Sequence, residues 1–136
     1  MATFTKINSF VEFLAEKRIN LGSDTLTIAL TNTAHTSTWD ELADLTQVSY
    51  TNLSSRALTT SSSAQTSGTY KLVLADLVLT SSGGTTGPFR YVYIYSDTAT
   101  NDDLICYFDY GSSLTLQDGD TFTIDFDATN GVLQIA

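Results

Sequence analysis

The sequence predicts an all-β fold: a jelly-roll-like β-sandwich of eight or nine short antiparallel strands with one short N-terminal helix. Three observations carry that prediction. Thr121 to Asp127 (Thr-Phe-Thr-Ile-Asp-Phe-Asp) alternates polar and apolar residues at period two, the signature of a half-buried strand. Turn-forming residues interrupt the chain at short intervals, as in sandwiches and barrels. The regular strand–helix alternation of a doubly wound sheet is missing.

Residues 1–22 read as an N-terminal arm and helix, and residues 23–136 as a single β body. Residues 1–8 are expected to form an arm that orders on docking. Ser9 and Glu12 have the spacing of a capping box. Phe10, Phe13 and Leu14 make an apolar stripe that continues to Lys17, and Gly22 marks the stop. Thr25 to Leu30 alternates and predicts the first strand. Thr31 to Thr38 is a polar loop. Thr38 can cap a helical turn beginning Trp39-Asp40-Glu41, with Trp39 plugging one end of the core.

Gln47 to Thr51 reads as a strand, Ala57 to Thr60 as a weaker one, and Ser61 to Gly68 as a turn or mobile loop. In Tyr70 to Leu79, Leu72 and Leu74 share one parity while Leu77 and Leu79 share the other. One face can hold all four only with a bulge or bend near Ala75-Asp76. Ser81 to Pro88 is a turn-rich connection. Its Gly83-Gly84-Thr85-Thr86-Gly87 run lacks the lysine and following helix of a phosphate loop. Phe89 to Tyr95 is apolar on both parities, so it is either covered on both sides or displays an aromatic row. Leu104 to Tyr110 is the next strand, Gly111 opens a turn, and Leu114 to Leu116 is a short strand. Asp118-Gly119 and Asn130-Gly131 are hairpin signals around the Asp120–Asp127 strand and the final Val132–Ile135 strand. Burial of Phe122, Ile124 and Phe126 would contribute about 5–9 kcal/mol as an upper bound.

Charge narrows the partners. Residues 1–90 hold seven acids against six bases, whereas residues 91–136 hold eight aspartates and no base. The net charge is −9. Nucleic-acid binding needs clustered Lys and Arg, and so does binding to an anionic membrane; neither partner is expected. No apolar run is long enough for a helical membrane span, and the start of the chain does not read as a signal peptide. The chain is expected to fold in a cytoplasm.

Candidate chemistry is sparse. Cys106 lies in an apolar run and reads as a buried small hydrophobe. His35 reads as a solvated loop histidine; a Ser-His-Asp arrangement has no nucleophile elbow to support it. The acidic stretches Asn101-Asp102-Asp103 and Asp118-Gly119-Asp120 lack a full calcium-ligand series, and turn formation explains both. Asp125 and Asp127 share a strand face about 7 Å apart, a spacing that a glycosidase pair also uses, but a solvated acidic face is the simpler account. No catalytic residue, metal or cofactor is expected. Tyr91, Tyr93 and Tyr95 are the candidate contact row, for a protein or as a sugar platform; the competing account is that they face the core or are covered by the N-terminal helix.

Several segments together carry a family likeness. They are Asp24 to Thr33, Tyr50 to Arg56, Ser67 to Leu72, Gly87 to Tyr91, Gly111 to Leu116 and Asn130 to Leu133. The chain resembles small structural proteins of tailed bacteriophages over nearly its whole length. Within that group it is most similar to capsid cement or decoration proteins. The resemblance implies a jelly-roll fold and a non-enzymatic role on the outer surface of a virion. The partner would be the phage major capsid protein, clamped across subunit joints by a homodimer or homotrimer made in the host cytoplasm. A tail or neck position is the other place it implies. Phe4, Tyr91, Tyr93 and Tyr95 are the candidate interface residues, and a carbohydrate-binding β-sandwich using the tyrosine row is the alternative.

Overall fold

In the computed structural model, which describes residues 2–136, the chain is an all-β sandwich with one short helix. Nine strands are present among the described residues: β1 (Thr3–Lys6), β2 (Leu26–Thr31), β3 (Thr60–Thr66), β4 (Thr69–Leu74), β5 (Leu77–Thr80), β6 (Thr86–Ser96), β7 (Leu104–Leu116), β8 (Thr121–Ile124) and β9 (Leu133–Ile135). Helix α1 spans Phe10–Ala15. The main sheet has the order β1-β7-β6-β2; β3-β4-β9 and β5-β8 form two smaller sheets. Every strand pairing is antiparallel.

The arm expected at residues 1–8 is already ordered over Thr3–Lys6. It pairs with β7, Phe4 opposite Phe108 and Lys6 opposite Cys106, so the main sheet gains an edge strand. Four residues are too short for a clear period-two signal, and the pairing partner lies far away in sequence.

In α1, Phe10 and Phe13 are buried as expected. The capping box does not form: the Ser9 hydroxyl donates to Asp40 Oδ2 at 3.0 Å instead. The helix also ends well before Gly22. Lys17 takes a left-handed conformation (φ 65°), and Arg18 N–H returns to Phe13 O at 2.8 Å. The helical turn after Thr38 is a 3-10 turn at Leu42–Asp44, capped by Glu41. Trp39 packs half-buried against the core.

The parity change between Leu74 and Leu77 is met by a change of sheet, not a bulge. β4 ends at Leu74, and β5 restarts at Leu77 paired with β8. Ser61 to Gly68 is not a loop, since most of it is β3, paired with β4 although nearly every side chain is exposed. Solvated Ser and Thr strands carry no burial alternation, which hides them in a sequence. Gln47 and Ala57 meet β2 through isolated bridges only, Thr31 with Gln47 and Thr27 with Ala57, and the expected Ala57–Thr60 strand ends on Thr60, which already belongs to β3.

Gly111 does not open a turn. β7 is a single strand through Leu116 with a wide bulge: one residue of β6, Arg90, faces four of β7, Tyr110–Ser113. Gly111 supplies the positive φ (95°) there, and its N–H is held by Asp109 Oδ1 at 2.8 Å. Asp118-Gly119 and Asn130-Gly131 are turns, but each joins strands of different sheets, so neither closes a two-strand hairpin.

The core explains the apolar-on-both-parities pattern of β6. Residues 91–96 are all buried, and so are all six residues of β2 beside them. On one face Val92 and Ile94 line up with Cys106 and Phe108 of β7, and Phe108 meets Phe126 at 6.4 Å between ring centroids. Tyr93 is in register with Ala29 and Tyr107 on the other face, and loop residues His35 and Trp39 cover it. Phe126 is buried, whereas Phe122 and Ile124 are only half-buried because β8 sits in a two-stranded edge sheet.

Candidate interface site

Phe4 is the one sequence-predicted contact residue that stands exposed. Its ring meets Phe108 edge-on at 5.7 Å, and 39% of its surface remains accessible. Beside it runs a groove of roughly 560 Å³ between β1, α1 and β9. Five large apolar side chains are exposed among the described residues, and three of them, Phe4, Val11 and Ile135, line this groove. It continues past Leu14 and Ile135 into a second depression of roughly 390 Å³ beneath Tyr70.

The charge of the groove departs from that of the chain. Its two parts are lined by Lys6 and Lys17 and by no aspartate or glutamate, in a chain with fifteen acids and six bases. Its β1 wall is also an open strand edge. Ile7 N–H bonds Ile105 O, so antiparallel alternation turns Thr3 and Thr5 toward β7 and the N–H groups of Phe4 and Lys6 away from it. Sequence reasoning missed Val11 and Ile135. Val11 is visible in hindsight as an apolar residue off the Phe10–Phe13–Leu14 stripe; Ile135 gave no signal beyond the period of a terminal strand.

The tyrosine row is corrected. Tyr91, Tyr93 and Tyr95 are 9%, 0% and 4% exposed, so the row faces inward and offers no platform to protein or sugar. His35 is not a solvated loop residue either. Its ring stacks on Tyr107 at 4.5 Å, meets Trp39 edge-on at 5.8 Å, and places Nδ1 2.9 Å from the Tyr93 hydroxyl. Burial lowers the His35 pKa and raises that of Tyr93. The structure brings aromatic rings to His35, and no carboxylate or serine hydroxyl hydrogen-bonds it among the described residues, so this ring is a packing element.

Other candidate groups are occupied structurally. Cys106 is fully buried, and desolvation pushes its thiol up, away from the reactive thiolate. Asp103 pairs with Arg18. Burial and then the charge of Asp97 raise the pKa of Asp102. Asp118 accepts from Gly83 N–H of another loop, whereas Asp120 accepts from Gln117 N–H and Asp127 from Thr129 and Asn130 within their own turns. Those turn bonds, first to Asn130, hold the Asp127 carboxyl below its ordinary range. Asp125 is exposed. No group of three or more His, Cys, Asp or Glu is placed to hold a metal among the described residues. Among the described residues, no helix is long and apolar enough to cross a membrane.

No family model, no curated protein and no solved structure matches this chain.

Proposed function

We propose that this chain is a non-enzymatic adhesion protein of a tailed-phage virion that cements or decorates the capsid by binding across major capsid subunits. One observation carries the reading: an apolar groove with an open strand edge, free of acidic side chains on an otherwise acidic body. An assembly protein needs a stiff body and a sticky seam; here the main sheet is the body and the β1–α1–β9 face is the seam. The sequence resemblance to phage structural proteins supplies the assembly and a second or third copy of the chain as its working unit. The acidic half suits a basic partner surface and keeps copies apart until they dock.

The carbohydrate-binding alternative is weaker because the three tyrosines it would use are buried. A tail or neck position uses the same adhesive logic and differs in copy number. The test is binding of the purified chain to expanded capsids, with quantitative mass spectrometry of virions. Saturable binding and hundreds of copies are expected. About six or twelve copies would move the protein to a tail or neck ring, and no binding with absence from virions would end the reading.

A further inference from the structure

The adhesive reading leaves open what enters the groove, and the geometry answers with a chemistry. We infer that the β1 edge takes an extended protein segment as an additional strand, with apolar side chains at alternate positions and acidic residues flanking them. This inference rests on the adhesive reading and names the partner's chemistry.

Two independent features argue for it. The first is backbone. The outward N–H groups of Phe4 and Lys6 sit on an unpaired edge of the main sheet, where a strand can dock by main-chain hydrogen bonds. Edge strands are usually protected by charge, proline or a covering element. Here Lys6 is the edge strand's only charge, and Phe4 stands open on the same strand. The second is charge. A long apolar groove flanked by Lys6 and Lys17 on a −9 body favours acidic over basic flanks locally. A second copy's exterior is acidic, but its own groove is not, so groove-to-groove contact between copies brings lysine against lysine. A partner strand with acidic flanks is the complementary case.

The probe is a set of short synthetic peptides alternating Val and Thr, with two Glu or two Lys at each end, titrated against the labelled whole chain by NMR. The Glu-flanked peptides are expected to shift and protect the Phe4 and Lys6 amides and to move the Val11 and Ile135 methyls. The Lys-flanked set should bind roughly fivefold more weakly or worse. Methylating alternate peptide nitrogens should abolish binding for the register whose N–H groups meet β1. Ile135→Asp and Val11→Asp, at positions 42% and 56% exposed, should each weaken the Glu-flanked peptide, with unchanged amide shifts across β6 and β7 as the check that each variant is folded. Shifts elsewhere, binding indifferent to N-methylation, or equal affinity for both flanks would overturn the inference. Capsid binding separates the two levels. If capsids bind the wild type and both Asp variants equally, the strand inference fails and adhesion stands. If the peptides bind as described and capsids do not, the groove stands and the virion assignment fails.

Discussion

Arg18 and Asp103 lie 85 positions apart in sequence and meet as a two-point ion pair, Nε and Nη2 donating to the two carboxylate oxygens at 3.0 and 2.5 Å. The carboxylate side is buried, 1% exposed, while Arg18 is 37% exposed and lies over the Phe13 ring. The hydrogen bonds that Arg18 donates to Asp103 raise the Arg18 pKa. This pair ties the exit of α1 to the connection between β6 and β7. The helix is thereby fixed as one wall of the groove.

Arg18→Met would leave a desolvated carboxylate without donors, so stability should fall. Converting Asp103 to Asn in that background should return part of the loss, since a neutral amide is easier to bury alone. Urea unfolding of both singles and the double gives the cycle. A double variant no more stable than Arg18→Met would show that the buried charge is not the source of the loss.

Phe89 and Phe4 predict opposite outcomes for the same substitution. Phe89 is fully buried and packs edge-on against Phe122 at 5.4 Å. Phe89→Ala should cost about 3–5 kcal/mol. Phe4→Ala, at a residue 39% exposed, should cost about 1 kcal/mol or less while weakening partner binding. Thermal unfolding of the two proteins decides it. A large loss at Phe4 would make it a core residue and remove it from the seam.

The strands that the sequence revealed are those with one buried face or two. β2 alternates in sequence and is buried throughout, β6 is apolar on both parities and buried over Tyr91–Ser96, and β8 alternates. β3 was hidden because Thr60–Thr66 is exposed on both faces, and β1 because four residues cannot establish a period. The bulge in β7 looked like a turn because Gly111 serves either structure through positive φ. Phe4 was legible as a contact residue; the groove was not. It is assembled from β1, α1 and β9, whose proximity follows from pairing with β7 and β4 and from no local pattern. Tyr91, Tyr93 and Tyr95 misled because amphipathic rings suit an interface and a covered sheet equally.

His35 predicts a pH dependence. Burial holds its pKa below the ordinary 6.5, so the folded chain favours the neutral ring. That stability is fully present above the unfolded value and is lost as pH falls through the lowered folded one. The ring faces Tyr93, Tyr107 and Trp39, and among the described residues no carboxylate hydrogen-bonds it to offset protonation. Stability of the wild type should therefore fall faster than that of His35→Phe between pH 7 and about pH 5, before most carboxylates protonate. Parallel curves for the two proteins would mean that the ring titrates as it does in the unfolded chain.

Gly131 controls the last wall of the groove. Its φ is 77°, and a Cβ there would lie 2.6 Å from the Leu72 carbonyl oxygen, on the backbone that β9 pairs with. Gly119 has a similar φ of 88° but open space around the added atom. Gly119→Ala should therefore show only the backbone cost, about 1–2 kcal/mol. Gly131→Ala adds a clash that a carbonyl cannot evade, so β9 must move. Because β9 is only three residues long, its response is detachment, and amide exchange at Leu133, Gln134 and Ile135 should accelerate well beyond that in the Gly119→Ala protein. Ile135 leaves the groove with the strand, so peptide binding should weaken in Gly131→Ala and persist in Gly119→Ala. Equal exchange in the two variants would mean that β9 absorbs the clash in place and that Gly131 does not hold this wall.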